Sequence, residues 1–163
     1  MDRLELKAVS PGDQEAVLAV YLQCEDFLGL GPQPEASPEM VAKDIAEAEN
    51  GGGVFRGIYR GGTIIGVASY IPGGFEGKPE AAFFLLLMVA APFRSQGIGT
   101  AIVKMVEKEI MKNKNIKNIL SGVQVNNPDA VRFWQKNGYR IIGGPELMPD
   151  STTVFHLGKA TNK

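Results

Sequence analysis

Val89-Ala90-Ala91-Pro92-Phe93-Arg94-Ser95-Gln96-Gly97-Ile98-Gly99-Thr100 is the stretch on which the reading of this chain turns. Upstream, Ala81 to Val89 is almost wholly apolar, as a central strand buried on both faces must be. Downstream, Ile98, Ala101, Ile102, Met105, Val106 and Ile110 recur at the spacing of one helical stripe, which predicts a helix from Gly97 to about Met111. A buried strand therefore ends in a short turn, and a helix begins at two glycines. Unpaired N–H groups converge at such a start, and the helix dipole adds partial positive charge. Gly97 and Gly99 lack a Cβ, so a diphosphate can approach the main chain, and Arg94 adds a full charge beside it. Other phosphate folds fit poorly. A dinucleotide fingerprint would need its third glycine at Ile102, and no Gly-Lys-Ser/Thr of a Walker loop exists.

Outward from this turn the pattern alternates between strands and helices. Leu4 to Val9 reads as a first strand. Pro11-Gly12-Asp13 opens a helix with Ala16, Val17, Val20, Tyr21, Cys24 and Phe27–Leu28 on its buried face. Gly29 to Pro38 is a Gly/Pro-rich loop. Ser37-Pro38-Glu39 caps a second helix that carries Met40, Val41, Ile45 and Ala48 and stops at Asn50-Gly51. Strands are expected at Val54–Tyr59 and Thr63–Ile71, joined through Arg60-Gly61-Gly62. After the glycine-led helix come a strand at Ile119–Val125, a helix at Pro128–Lys136, and strands at Tyr139–Ile142 and Thr152–Leu157. Gly143 to Ser151 reads as a late loop. The mixture indicates an α/β or α+β domain, with Ala81–Val89 and Ile119–Val125 parallel because a helix links them.

Bulk properties narrow the function. The 163 residues suit one domain, 1–163, with a core from about 4 to 157. The net charge of −1 provides no global basic field for a nucleic-acid backbone or an anionic membrane. Cys24 is the single cysteine and His156 the single histidine, so an internal disulfide, a thiolate zinc site and a histidine pair are all excluded. No apolar run is long enough to span a bilayer, which makes a cytoplasmic protein the expectation.

Arg94-Ser95-Gln96-Gly97-Ile98-Gly99 resembles the Arg/Gln-x-x-Gly-x-Gly/Ala motif of the GNAT superfamily of acetyl-CoA-dependent N-acetyltransferases. Asn127-Pro128-Asp129-Ala130-Val131-Arg132-Phe133-Trp134-Gln135-Lys136-Asn137-Gly138-Tyr139 is similar to the second signature of that family. The resemblance implies a central mixed, mostly antiparallel sheet with helices on both faces, in which the parallel pair Ala81–Val89 and Ile119–Val125 splays into a V. It further implies that the pantetheine arm of acetyl-CoA pairs with Leu87, Met88 and Val89. The pyrophosphate would rest on Arg94, Ser95, Gln96, Gly97, Ile98, Gly99 and Thr100, and Asn127, Phe133 and Trp134 would flank the cofactor. The implied partners are acetyl-CoA and an amine, without nucleic acid, membrane or metal; a homodimer stays open.

Acyl transfer to an amine needs a neutral amine, a stabilised oxyanion and a thiolate that can leave. The Val89 N–H is the natural oxyanion donor if its strand is splayed. Many family members place a tyrosine acid where this chain has Trp134, and an indole cannot supply a proton near neutral pH. Tyr139 is the substitute to weigh against a core role. A thiol of pKa about 8.5 also leaves without help. Glu80, Glu25, Asp26, Glu146 and Asp150 are the carboxylates available as base. Cys24 and His156 read as structural, and Lys104, Lys108 and Lys112 as a solvated face or a contact to the 3′-phosphate. The favoured activity is direct acetylation of a small-molecule amine. The alternatives are a protein N-terminus or lysine, or an acyl-CoA sensor without catalysis.

Overall fold

Apolar residues on both sides of the middle strands require cover on both faces, and the chain supplies two helical layers to provide it. The computed structural model describes residues 3–33 and 35–161. One seven-stranded sheet runs through it in the order β1-β2-β3-β4-β5-β7-β6. The strands are β1 (Leu4–Ala8), β2 (Val54–Arg60), β3 (Thr63–Ile71), β4 (Ala81–Val89), β5 (Asn118–Gln124), β6 (Arg140–Leu147) and β7 (Thr153–Ala160). Neighbours are antiparallel except β4 and β5, which are parallel. The helices are α1 (Gln14–Leu22), α2 (Glu25–Leu28), α3 (Pro38–Asn50), α4 (Ile98–Ile110) and α5 (Pro128–Lys136). Among the described residues, no helix is long and apolar enough to cross a membrane.

Two cores result. Ile102, Val103, Val106 and Ile110 of α4 pack with Trp134 of α5 on Ile58, Tyr70, Phe84, Ile119 and Leu157. On the other face Val17, Val20, Tyr21, Met40, Val41 and Ala48 of α1 and α3 cover Phe55, Val67 and Met88. That second core takes side chains from β2, β3 and β4 and none from β5, β7 or β6. Among the described residues, the helical core on this face therefore covers β2, β3 and β4 only.

Several expectations are met closely. Gly61 and Gly62 both take positive φ, as a two-residue hairpin turn demands. The Ser37 hydroxyl accepts the Met40 N–H at 3.1 Å and starts α3. Two are corrected. The first helix is expected to be continuous to Leu28, but α1 stops at Leu22, where Gln23 and Cys24 make the tight three-residue bonds of a frayed turn to Val20 and Tyr21. The short α2 follows from Glu25 to Leu28. The late loop expected from Gly143 is largely strand. β6 runs on to Leu147 because two register shifts absorb Gly143-Gly144-Pro145, which interrupt the alternation in the sequence.

Candidate acyl-transfer site

β4 and β5 pair over a short stretch. The register runs from Ala81–Asn118 to Phe84–Ser121 and then stops. At the fork the Ser121 hydroxyl donates to the Phe84 carbonyl at 2.9 Å, occupying a ladder acceptor. Leu85 is an unmatched extra residue opposite β3, and such a bulge bends β4 away from its neighbour. β5 meanwhile stays paired to β7 through Gln124. The parallel strands thus open into a V.

The ladder to β3 fixes which groups face that V. The Ala90 N–H bonds Ile65 O at 2.8 Å, so Gly66–Val89 is a non-hydrogen-bonded pair. The N–H and C=O of Val89, and by alternation those of Leu87, project toward the side β5 has left. Those of Met88 are directed to Val67, and its side chain is buried under α1 and α3. The expected main-chain surface over Leu87, Met88 and Val89 is therefore corrected to Leu87 and Val89.

Beyond Val89 the chain makes one 3-10 turn, Ala91–Phe93, and reaches α4. Ser95 and Gly97 are both left-handed, at φ 61° and 78°. Alternating handedness turns successive N–H groups to one side, forming a concave nest. The first intrahelical bond is Ala101 N–H to Gly97 O, so the amides of Ile98, Gly99 and Thr100 have no acceptor within α4. No side chain caps this helix start, and no acidic residue lies in its first turn. The contrast with α5 is direct, since there the Asn127 Oδ1 accepts the Ala130 N–H at 3.1 Å. An uncapped start with its donors turned outward fits an anion.

The two glycines do different work. A Cβ on Gly97 would meet nothing within 4 Å, whereas one on Gly99 would meet Phe133 at 3.0 Å. Gly97 thus keeps the nest open and Gly99 lets α5 close on α4. Arg94 is not at the nest. Its Nε donates to Val89 O at 2.8 Å, its two terminal nitrogens grip the Asp26 carboxylate, and one of them reaches Gln23 O at 3.3 Å. The arginine is a clasp between the end of β4 and the α1–α2 junction. Arg94 holds the Asp26 carboxyl below the usual range. The exposed Gln96 folds back on its own turn, donating to Pro92 O at 3.2 Å.

The geometry separates the expected catalytic groups. Val89 lies at the V. Glu80 precedes Ala81 at the other end of β4, roughly 25–30 Å away by strand rise. It lines a hollow of about 590 Å³ with Lys78, Asn118 and Arg140, too far to serve as base. Glu25 is spent on its own loop, since its carboxylate accepts the Ala36 N–H at 2.9 Å. Tyr139 is 1% exposed, and its hydroxyl donates to Glu107 at 2.8 Å in the α4 core. Burial first, and Glu107 second, push that phenol well above its ordinary pKa, which removes it as an acid. Trp134 is also core. Phe84, Phe133 and Tyr139 surround it edge-on at 5.0–5.4 Å, so it props the fork from below. Lys104, Lys108 and Lys112 line a hollow of about 450 Å³ along α4.

Cys24 lies nearer the V than its apolar stripe implies. Its thiol is fully buried and points at Val89 O, 3.5 Å away. Burial pushes its pKa up, which leaves it a poor nucleophile.

Across the V, Gly122 of β5 is paired with His156 of β7, and Gln124 with Val154. Val123, Phe155 and Leu157 face α4 and α5, so Gly122, Gln124, Val154 and His156 face the side without a helix. Gly31, in the loop after α2, closes on Gln124, and Asn126 donates to Leu30 O at 3.2 Å. These contacts seat that loop against the end of β5, beside the sheet face that continues from the V, hereafter the trough.

A family model described as the acetyltransferase (GNAT) family matches residues 17–139. The chain belongs to that family. Over 60 residues it is 37% identical to N-alpha-acetyltransferase 50 of Danio rerio, a match covering 37% of this chain and 36% of that one. The alignment thus spans about a third of the curated relative's length. An acetyltransferase from Thermus thermophilus superposes with a TM-score of 0.79 at 21% identity, covering 96% of both chains. The spermidine N-acetyltransferase from Vibrio cholerae, solved with CoA and spermine, gives 0.72 at 15% identity, covering 96% of this chain and 95% of that one. The mixed sheet, the single parallel pair and the two helical layers are the architecture shared with these structures.

Proposed function

We propose that this GNAT enzyme transfers the acetyl group of acetyl-CoA directly to a cationic small-molecule amine. The observation that carries the donor half is the uncapped, acid-free start of α4 beside the nest at Ser95 and Gly97. These backbone donors would hold the diphosphate, and Leu87 and Val89 would pair with the amide-bearing arm. Acetyl-CoA supplies the acyl carbon and a thiolate that leaves with a pKa of about 8.5. The Val89 N–H, turned into the V, would receive the negative charge that develops on the acyl oxygen. Arg94 and Cys24 both donate to the carbonyl of the same residue and hold the strand end in place. No protein acid is assigned to the thiolate, because Tyr139 is locked on Glu107 and Trp134 is an indole inside the core. Direct transfer, without an acyl-enzyme, is supported by the burial of Cys24.

A small amine is favoured by the approach of Gly31 to Gln124 beside the V and by Glu146 on the same sheet face. The second reading, a protein N-terminus, is favoured by the identity to N-alpha-acetyltransferase 50. Thiol release with acetyl-CoA against a panel of polyamines, aminoglycosides and peptide N-termini tests both. Faster turnover of peptides than of any small amine overturns the first.

A further inference from the structure

Gln124 presents the one buried side-chain polar atom without a partner among the described residues, its Oε1. A buried carbonyl oxygen left unpaired costs about 1–3 kcal/mol, so folded chains rarely keep one unless something else binds there. Its position is informative. Gln124 ends β5 on the splayed side of the fork, its amide packed beside Gly31 of the loop after α2.

The neighbours of Gln124 are set by the register. Gln124–Val154 and Gly122–His156 are directly paired, which makes Gln124 and His156 diagonal neighbours on one face, their Cα atoms about 7–8 Å apart. Glu146 is paired with Val154, on the same face, and its carboxylate meets the His156 imidazole. Glycine stands on either side of His156, at Gly122 on β5 and Gly143 on β6, so neither cross-strand partner places a side chain beside the imidazole. His156 and Glu146 remain 40% and 57% exposed. A neutral acceptor oxygen, an imidazole and a carboxylate thus lie in a row leading away from the V.

We infer that Gln124, His156 and Glu146 form the acceptor subsite of this enzyme, which takes an amine carrying a second cationic group. The Gln124 oxygen accepts an N–H of the amine nearest the V. Glu146 neutralises the distal ammonium, and His156 holds the carboxylate in position through its own contact. The inference rests on the proposed transfer to a small cationic amine and specifies where that amine is read.

The test uses the full chain with acetyl-CoA and compares 1,3-diaminopropane with propylamine. Gln124→Met keeps the volume and removes the orphan oxygen. The expected result is a thermal midpoint equal to or above the wild type, unchanged CoA affinity by calorimetry, and a KM for both amines raised about tenfold or more. Glu146→Gln should raise the KM for the diamine about tenfold and leave propylamine within twofold. Wild-type turnover with both variants unchanged in KM overturns the subsite and leaves the proposed function standing. Wild type that binds CoA but turns over neither amine removes the proposed acceptor class, and the subsite with it. A midpoint lowered by several degrees in Gln124→Met would make Gln124 a structural residue and overturn its assignment.

Discussion

Val89 to Thr100 is one unbroken segment in which strand end, turn, nest and helix start follow each other along the chain. The trough across the V takes Gly31 from a loop, Gln124 from β5, Glu146 from β6 and His156 from β7. The first region is built from local backbone conformation, the second from register between strands far apart in sequence. Local construction concentrates the function in a few positions that nothing else can replace. Construction by register spreads it over side chains that can change one at a time while the sheet stays the same. That difference gives a physical reason for one fold to serve many acceptors with one donor cradle.

The largest effect should come from the local region. Gly97→Glu places a carboxylate where the diphosphate would sit, at a position of φ 78° that also strains any L-residue by about 1–2 kcal/mol. Because a Cβ there meets no neighbour, the fold should survive. CoA affinity by calorimetry is expected to fall at least a hundredfold with a circular-dichroism spectrum like the wild type. Retained affinity would break the comparison at its root, since the cradle would then not be local.

Next comes the joint between the two regions. Arg94 ties Val89 to Asp26 and Gln23, linking the strand end to the helix junction that leads into the loop beside the trough. Arg94→Ala should lower kcat about ten- to a hundredfold by loosening the oxyanion donor, while CoA affinity stays within about twofold. A loss of CoA affinity with kcat intact would return Arg94 to the phosphate.

The sequence made the first region legible because its signals are one-dimensional. Glycines, a proline turn and an apolar strand follow in order, and they mark the end of β4 at Val89 and the start of α4 after Gly97. The partner of Arg94 is not legible, because a charge beside a glycine turn says nothing of its direction and Asp26 lies far back in the chain. Gly99 in the sequence implies ligand clearance, and only the packing of α5 reveals its closeness to Phe133. Glu80 lies just before β4, at the end away from Val89, and residue type alone carries no distance. The trough was invisible because β6 hides behind Gly143-Gly144-Pro145, and without β6 no register brings Glu146 to His156.

A smaller effect distinguishes support from contact at the fork. Trp134 fills the space between Phe84 and Tyr139. Trp134→Phe should cost about 1–2 kcal/mol, a thermal midpoint lower by a few degrees, with CoA affinity within about twofold. A weaker CoA complex at an unchanged midpoint would move Trp134 from the shared scaffold to the donor side.

The smallest effect concerns the charge in the Arg94 clasp. The Asp26 carboxyl is held below its ordinary pKa first by the Arg94 hydrogen bond. A carboxyl depressed in the folded state stabilises fully above its unfolded pKa of about 3.9, and that contribution is lost as pH falls through the folded value. The side chain is 66% exposed, and solvent screening should keep the contribution at or below about 1 kcal/mol. Asp26→Asn should therefore melt slightly below the wild type from pH 8 down to about pH 5. The gap should then close below about pH 4, where the wild type loses the same interaction. Asp13 and Asp150 are also held low, by bonds within their own turns, but both proteins retain them and their effect cancels in the difference. A gap that persists at pH 3 would mean that Asp26 acts through shape rather than charge. The clasp would then be part of the packing that the two regions share, and the ionic link between the strand end and the α1–α2 junction would have no role in holding them together.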